Sequence, residues 1–366
     1  MSFTALDAIA PAFQHTKEQL FTPFRFGQWA RLAIVGLLAG ELGSGGSSNF
    51  NPGKFRIPQH PGIHHFQDPN PDLLAKMAAL GAALAVVVIA ALVLGILLMY
   101  VSSVMRFILF DSVLVRECHI RLGWSRRQGP GVRLFLWKLG FGLVTLASFM
   151  VLVGVPAGLA FVAGWLRSPR DHVAPLVLGG ILLFFVLALL VVVIAVVYVL
   201  TKDFVVPQMA LENIGAMEGW RRLWTMIGAE KGQYAGYIGM KILMAIGVGI
   251  LIAIVTVILG LLIAIPTLGL GLIAVITGQS AGLTWNAYTI TLAIVVGSIL
   301  LVGFFYLVSL ISVPAMVFFP AYSIYFFAMR YAPLHAALYP QPAPEALRAA
   351  RPQEPPPLPP APQPAG

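Results

Sequence analysis

FVVPQMALENIGAMEGWRR, residues 204–222, lies between two long apolar runs, opens on aromatic and branched side chains and closes on a tryptophan and two arginines. A weaker copy precedes it, FILFDSVLVRECHIRLGWSR at 107–126, and its opening returns as SVPAM at 312–316. At an offset of 97, Phe107 falls on Phe204; with one gap, Trp124 falls on Trp220, and Arg126 and Arg127 fall beside Arg221 and Arg222. At an offset of 107, Pro207 falls on Pro314 and Met209 on Met316. The pattern predicts an all-α integral membrane protein of about six transmembrane helices, arranged as repeated units of helix, cytoplasmic interfacial turn and helix. In each unit, the Phe, Val and Met side chains of the turn dip into lipid, and the Trp and paired Arg sit at headgroup depth.

Composition agrees with a membrane setting. The chain is 59% hydrophobic and only 10% charged, with a mean hydropathy of +0.88, whereas roughly a quarter of the residues of a soluble domain are charged. The net charge of +9 comes from basic residues in the gaps between apolar runs, where topology signals sit, and no basic, aromatic-laced surface for nucleic acid accompanies it. Cys118 is the single cysteine, which leaves no intrachain disulfide or cysteine-built metal site.

Residues 1–28 read as an amphipathic interfacial segment, with Leu6, Ile9, Phe13 and Leu20 on one stripe interrupted by Pro11. They lack the basic start and cleavage pattern of a removed leader, so the first membrane segment is expected to be retained. The six-helix domain is placed at 29–331. Its first span, 29–40, is short against the roughly 20 residues a bilayer needs; it either starts at Phe24 or is re-entrant. The others are placed at 80–104, at 134–165 with a break around Pro156, at 174–200, from Tyr234 through Pro266 to a second piece at 268–276, and at 283–311. Residues 41–72, rich in Gly, Ser, Asn and Pro, form an exposed loop. The cytoplasmic junctions are 106–133 and 202–233, and 332–366 is a proline-rich tail with polyproline II character. Placing both termini inside puts 18 of the 23 Lys and Arg residues on the inner side, the asymmetry of a bacterial cytoplasmic (inner) membrane protein.

Three basic residues approach the hydrocarbon: Arg31, Lys138 and Lys241. Snorkelling to the headgroups is the leading explanation. The alternatives are pairing with Asp111, Asp203 or Glu212, and binding of an anionic ligand or lipid headgroup. Together with Trp124, Arg126, Arg127, Trp220, Arg221 and Arg222 they form the set of lipid-headgroup or anion candidates. His60, His64 and His65 have a ligand chemistry suited to a metal, but their Gly- and Pro-rich setting favours a plain surface loop. The chain shows neither a nucleophile–base pair nor paired carboxylates at a helix mouth, so neither catalytic residues nor a cofactor are expected.

The opening LDAIAPAFQHTKEQLFTPFRFGQWARLAIVGLLAGELGSGG and the junction DFVVPQMALENIGAMEGWRRL resemble those of uncharacterised bacterial polytopic membrane proteins. Those proteins are similar to the membrane domain that some glycerophosphodiester phosphodiesterases carry beside their catalytic barrel. The resemblance covers about residues 5–331 and implies a six-helix membrane domain without assigned activity. All polar sequence here is loop or tail, so the phosphodiesterase catalytic domain is missing and its chemistry does not transfer. The expected function is a non-enzymatic inner-membrane protein whose partners are membrane lipids, anionic headgroups at the cytoplasmic face and other membrane proteins. The alternative is a small-molecule or lipid permease, motivated by the prolines at 156 and 266.

Overall fold

The computed structural model describes residues 4–41, 71–165, 168, 170–280, 282 and 286–340. Ten α-helices and one π-helical turn account for most of them, and no strand occurs among the described residues. In chain order the helices are α1 (Ile9–Phe21), α2 (Phe26–Ala39), α3 (Pro71–Val115), α4 (Ile120–Val162) and α5 (Val173–Leu200). After the π turn Thr201–Val205 come α6 (Val206–Glu212), α7 (Ala216–Ala229), α8 (Lys231–Ser280), α9 (Ala287–Ala328) and α10 (Ala332–Leu338).

Among the described residues, five helices are long and apolar enough to cross a membrane: Gly81–Val115, Ile120–Val162, Val173–Glu212, Lys231–Ser280 and Ala287–Ala328. The first expected span corresponds to α2, whose 14 residues extend about 21 Å at 1.5 Å per residue, short of a hydrocarbon layer of about 30 Å. α2 lies antiparallel to the end of α3. Gln28 near its start donates to the Arg116 carbonyl, while Ser102 donates to the carbonyl of Ala39 at its end.

The breaks expected at Pro156 and Pro266 are absent. α4 runs through Pro130 and Pro156, α8 through Pro266, and α9 through Pro314 and Pro320. A proline removes one intrahelical hydrogen bond, and in membrane helices neighbouring groups and small local adjustments re-satisfy the freed backbone. Pro11 likewise sits in the first turn of α1, where its missing N–H has no intrahelical partner to lose.

Each long helix has two zones. At the junction end Val104–Val113 of α3, Pro130–Leu134 of α4, the π turn, α6 and the last part of α9 from Val313 pack together with α1 and α2. Phe204 lies at the centre, its ring 5.0–6.0 Å from those of Tyr234, Tyr237, Phe326 and Phe327. Toward the other end, side chains such as Leu92, Met150, Phe184, Leu262 and Leu301 are exposed. Apolar surface of that extent suits hydrocarbon as its solvent.

This arrangement corrects the expectation that the junction apolars dip into lipid. Phe107, Ile108, Phe204, Val205, Val206 and Met209 are buried in protein. On α1 the docked face is Ala8, Ala12, His15, Thr16, Gln19 and Leu20, while Leu6 and Phe13 of the expected stripe stay exposed. The first residues of the expected tail form α10, with Leu334 buried.

Candidate functional site

Gly40, in the left-handed conformation (φ 81°), ends α2, a φ that a Cβ would make costly. The turn aims Glu41 back between helices, where it is buried and accepts from Arg106 Nη1 of α3 at 2.5 Å and from Lys202 of the π turn. Arg106 Nη2 also donates to the Ala39 carbonyl and, at 2.9 Å, to the Tyr198 hydroxyl. A cation thus caps the negative end of α2, whose last carbonyls have no intrahelical partner.

Asp203, the next residue in the π turn, accepts from Lys241 of α8 and, at 2.9 Å, from the Tyr237 hydroxyl. Tyr237 stacks on Tyr322 of α9 at 5.1 Å with an interplanar angle of 7°. The π turn itself has a local cause. Pro207 cannot donate to the carbonyl four residues back, that of Asp203, and its ring would clash there; widening the preceding turn relieves both. Consecutive residues of one turn therefore reach separate partners, Lys202 toward α2 and Asp203 toward α8. Widened turns of this kind recur at functional sites.

The cluster holds three cations, Arg106, Lys202 and Lys241, and two carboxylates, Glu41 and Asp203, all less than a tenth exposed. Ions in such a setting persist only when paired and hydrogen-bonded. Two polar atoms stay without a protein partner, Arg106 Nε and Asp203 Oδ1. Arg106, Asp203, Glu41 and Lys202 all line a cavity of about 20 Å³, with Leu109, Pro207 and Ser323 among its apolar and hydroxyl walls.

The residues singled out in the sequence divide into two groups. Lys241 belongs to the cluster and pairs with Asp203, one of the expected partners. Arg127 makes a two-pronged bond to Asp111 at 2.6 and 2.7 Å and donates to the Ala210 carbonyl, tying α3, α4 and α6 together. Arg222 is held by Glu212 and Glu218, and Glu212 also accepts from the Tyr331 hydroxyl. Trp124 meets Tyr100 edge-on, and Trp220 stacks on Trp137, so both indoles serve helix packing. In the second group, Arg31 and Arg126 are exposed, Arg31 with a long bond to the Cys118 carbonyl at 3.4 Å. The Arg221 side chain is 78% exposed although it touches Glu218. Lys138 is half-buried on α4. His60, His64 and His65 lie outside the described residues, among which no cluster of three His, Cys, Asp or Glu is placed to hold a metal.

Sequence reading missed Glu41, Arg106 and Lys202 as site residues. Glu41 opens a Gly- and Ser-rich stretch, and Arg106 and Lys202 sit where topology signals are expected. The one available signal was the Lys202–Asp203 doublet embedded in VVYVLTKDFVV, where a loop-bound charge pair would have polar neighbours.

A bundle of long apolar helices, tied at one end by buried ion pairs, defines a polytopic α-helical membrane protein. Residues 3–336 match DUF7544, a family of unknown function, and the chain belongs to that family. No curated protein and no solved structure matches it. The match supports an uncharacterised family and adds nothing to the resemblance to glycerophosphodiester phosphodiesterase membrane domains.

Proposed function

We propose that the protein is a non-enzymatic, multi-pass protein of the bacterial inner membrane that seats its junction end on anionic lipid headgroups at the cytoplasmic face. The observation that carries this reading is the outer face of α7. Ala216, Gly219 and Leu223 bury the inner face, while Met217, Arg221 and Trp224 follow one another at i, i+4 and i+7 on the opposite face, with Trp224 70% exposed. An apolar anchor, a guanidinium and an indole on one face suit the boundary between acyl chains and phosphates.

The same end carries exposed Leu6, Phe13, Phe21, Phe24, Phe26 and Leu122, together with Arg31 and Arg126. Aromatic, apolar and basic side chains exposed at this end suit a headgroup boundary in the same way. The 97-residue repeat has structural counterparts that support a unit built twice. Arg116 and Asn213, 97 positions apart, both have positive φ, 64° and 56°. Gly123 packs against Ile108 and Gly219 against Val205, contacts related by nearly the same offset. Over the permease alternative, the lipid reading is favoured by the charged cluster, whose side chains bind one another around a cavity far smaller than a solute.

The experiment is fluorescence of Trp224 in a variant with the other six tryptophans replaced by Phe, reconstituted with lipids brominated at defined depths. Quenching strongest for shallow bromines, with tighter retention of phosphatidylglycerol than of phosphatidylcholine that falls in Arg126→Gln/Arg221→Gln, is expected. Trp224 unquenched at every depth, or lipid retention unchanged in that variant, refutes the proposal.

A further inference from the structure

We propose that the cavity between α3, the π turn and α9 holds one water molecule, which accepts from Arg106 Nε and donates to Asp203 Oδ1. The water joins the Glu41 and Asp203 ion pairs into one network. Three observations converge on it. Both atoms belong to residues at most 4% exposed, and neither has a protein partner. Both residues line the same cavity. Its volume of about 20 Å³ exceeds the roughly 10–15 Å³ a single water requires.

The chemistry of the two open atoms selects among ligands of that size. A guanidinium N–H only donates, and a carboxylate oxygen only accepts. The occupant must therefore accept on one side and donate on the other. A halide accepts but cannot donate, and it would face the carboxylates of Asp203 and Glu41. A sodium ion does neither, and it would sit beside Arg106 and Lys202. Water does both at no cost in charge. Leaving both atoms open is expensive, because a buried polar atom without a partner forfeits its hydration without replacement.

The link matters because the two ion pairs sit on different elements. Glu41 ends α2, whereas Lys241 and Tyr237 belong to α8. Through Arg106, the water and Asp203, the end of the short helix α2 is connected to the first turns of α8. A perturbation at either ion pair is then felt at the other.

Crystals of the full chain grown in lipidic phase, from solutions containing bromide and from solutions containing rubidium, test the occupant directly. A peak of water strength, without anomalous signal and within hydrogen-bond distance of both atoms, is the expected result. A bromide or rubidium anomalous peak, or no peak, overturns the proposal. A thermal-unfolding cycle of Arg106→Lys and Asp203→Asn tests the link. Lysine keeps the positive charge facing Glu41 but removes Nε, so the long-range charge interaction largely cancels and the bridged bond remains. The double variant is expected to lose fewer degrees of melting temperature than the two single variants added together; strictly additive losses overturn the link.

Discussion

Glu41 and Arg106, 65 positions apart in the chain, meet at 2.5 Å with side chains 1% and 4% exposed. The pair fixes the end of a helix too short to cross a membrane against one that is long enough, and Lys202 closes it from the third side. Burial at this level makes the arrangement intolerant of losing a single partner.

Glu41→Gln is therefore expected to lower stability by about 3–5 kcal/mol, the cost of leaving a buried charge uncompensated. Removing Glu41 together with both of its cations in Glu41→Leu/Arg106→Met/Lys202→Met is expected to recover most of that loss, since apolar replacement of both sides of a buried ion pair is close to neutral. Thermal unfolding in detergent measures both. A triple variant as unstable as Glu41→Gln would show that the charges act through something other than mutual compensation.

Close packing at the two junctions gives a second expectation. A Cβ on Gly219 would lie 2.8 Å from Val205 Cγ1, a stiff branched side chain, and one on Gly131 would lie 2.6 Å from Val104 Cγ2. Gly219→Ala and Gly131→Ala are each expected to destabilise by about 1–3 kcal/mol, the usual cost of overpacking. Gly236→Ala, with nothing within 4 Å, is expected to be neutral or to gain up to about 1 kcal/mol from helix propensity. Equal melting temperatures for all three would contradict the close approach.

His15 makes the docking of α1 pH-dependent. Its Nε2–H donates to the Val113 carbonyl at 2.8 Å, and its Nδ1 lies 3.2 Å from the Tyr325 hydroxyl, which donates to it when the ring is neutral. Burial, and then the nearby Arg116, hold its pKa below the ordinary value of 6.5, with the Val113 carbonyl, Glu18 and Gln19 opposing. A depressed folded pKa gives stability that is fully present above the unfolded value and is lost as pH falls through the folded one. Amide exchange in Ile9–Phe21, corrected for intrinsic rates, should therefore accelerate on going from about pH 7.5 to about pH 5.5. His15→Gln should flatten that dependence. Exchange that stays constant in the native chain would exclude the histidine as the cause.

Orientation is testable with single cysteines in a Cys118→Ser background. Ser125→Cys near the start of α4 and Ser280→Cys at the end of α8 occupy exposed positions. If α8 crosses the bilayer, they label from opposite sides, with Ser125→Cys reached from the cytoplasm. Labelling of both from one side would remove the topology.

The membrane character and the positions of the five long helices were legible from apolar run length and from the basic residues between runs, because a bilayer demands a continuous stretch of about 20 apolar residues. The offset of 97 was legible as well, and it leads to the paired left-handed residues Arg116 and Asn213. The prolines misled. Their cost in a helix depends on whether neighbours re-satisfy the backbone, which residues 154–158 and 266 do not encode locally. α1 shows a different limit, since its periodicity revealed a two-faced helix but not that the face with His15 and Gln19 would dock on protein.

By itself, then, the sequence determined that the chain is a helical membrane protein, its long apolar runs separated by polar-ended stretches such as 107–126 and 204–222. Hydropathy and helical period are local properties that any window of residues carries. Only the tertiary structure decided that Phe204 lies at the centre of a protein core and that Arg127 and Arg222 are held by carboxylates. It also decided that Glu41, Arg106, Lys202, Asp203 and Lys241 form one buried set. Each of these charges reads singly as a solvated loop or a topology signal. Their partners lie up to 161 positions away, and a charge's cost or benefit is settled by which opposite charge folding brings to it.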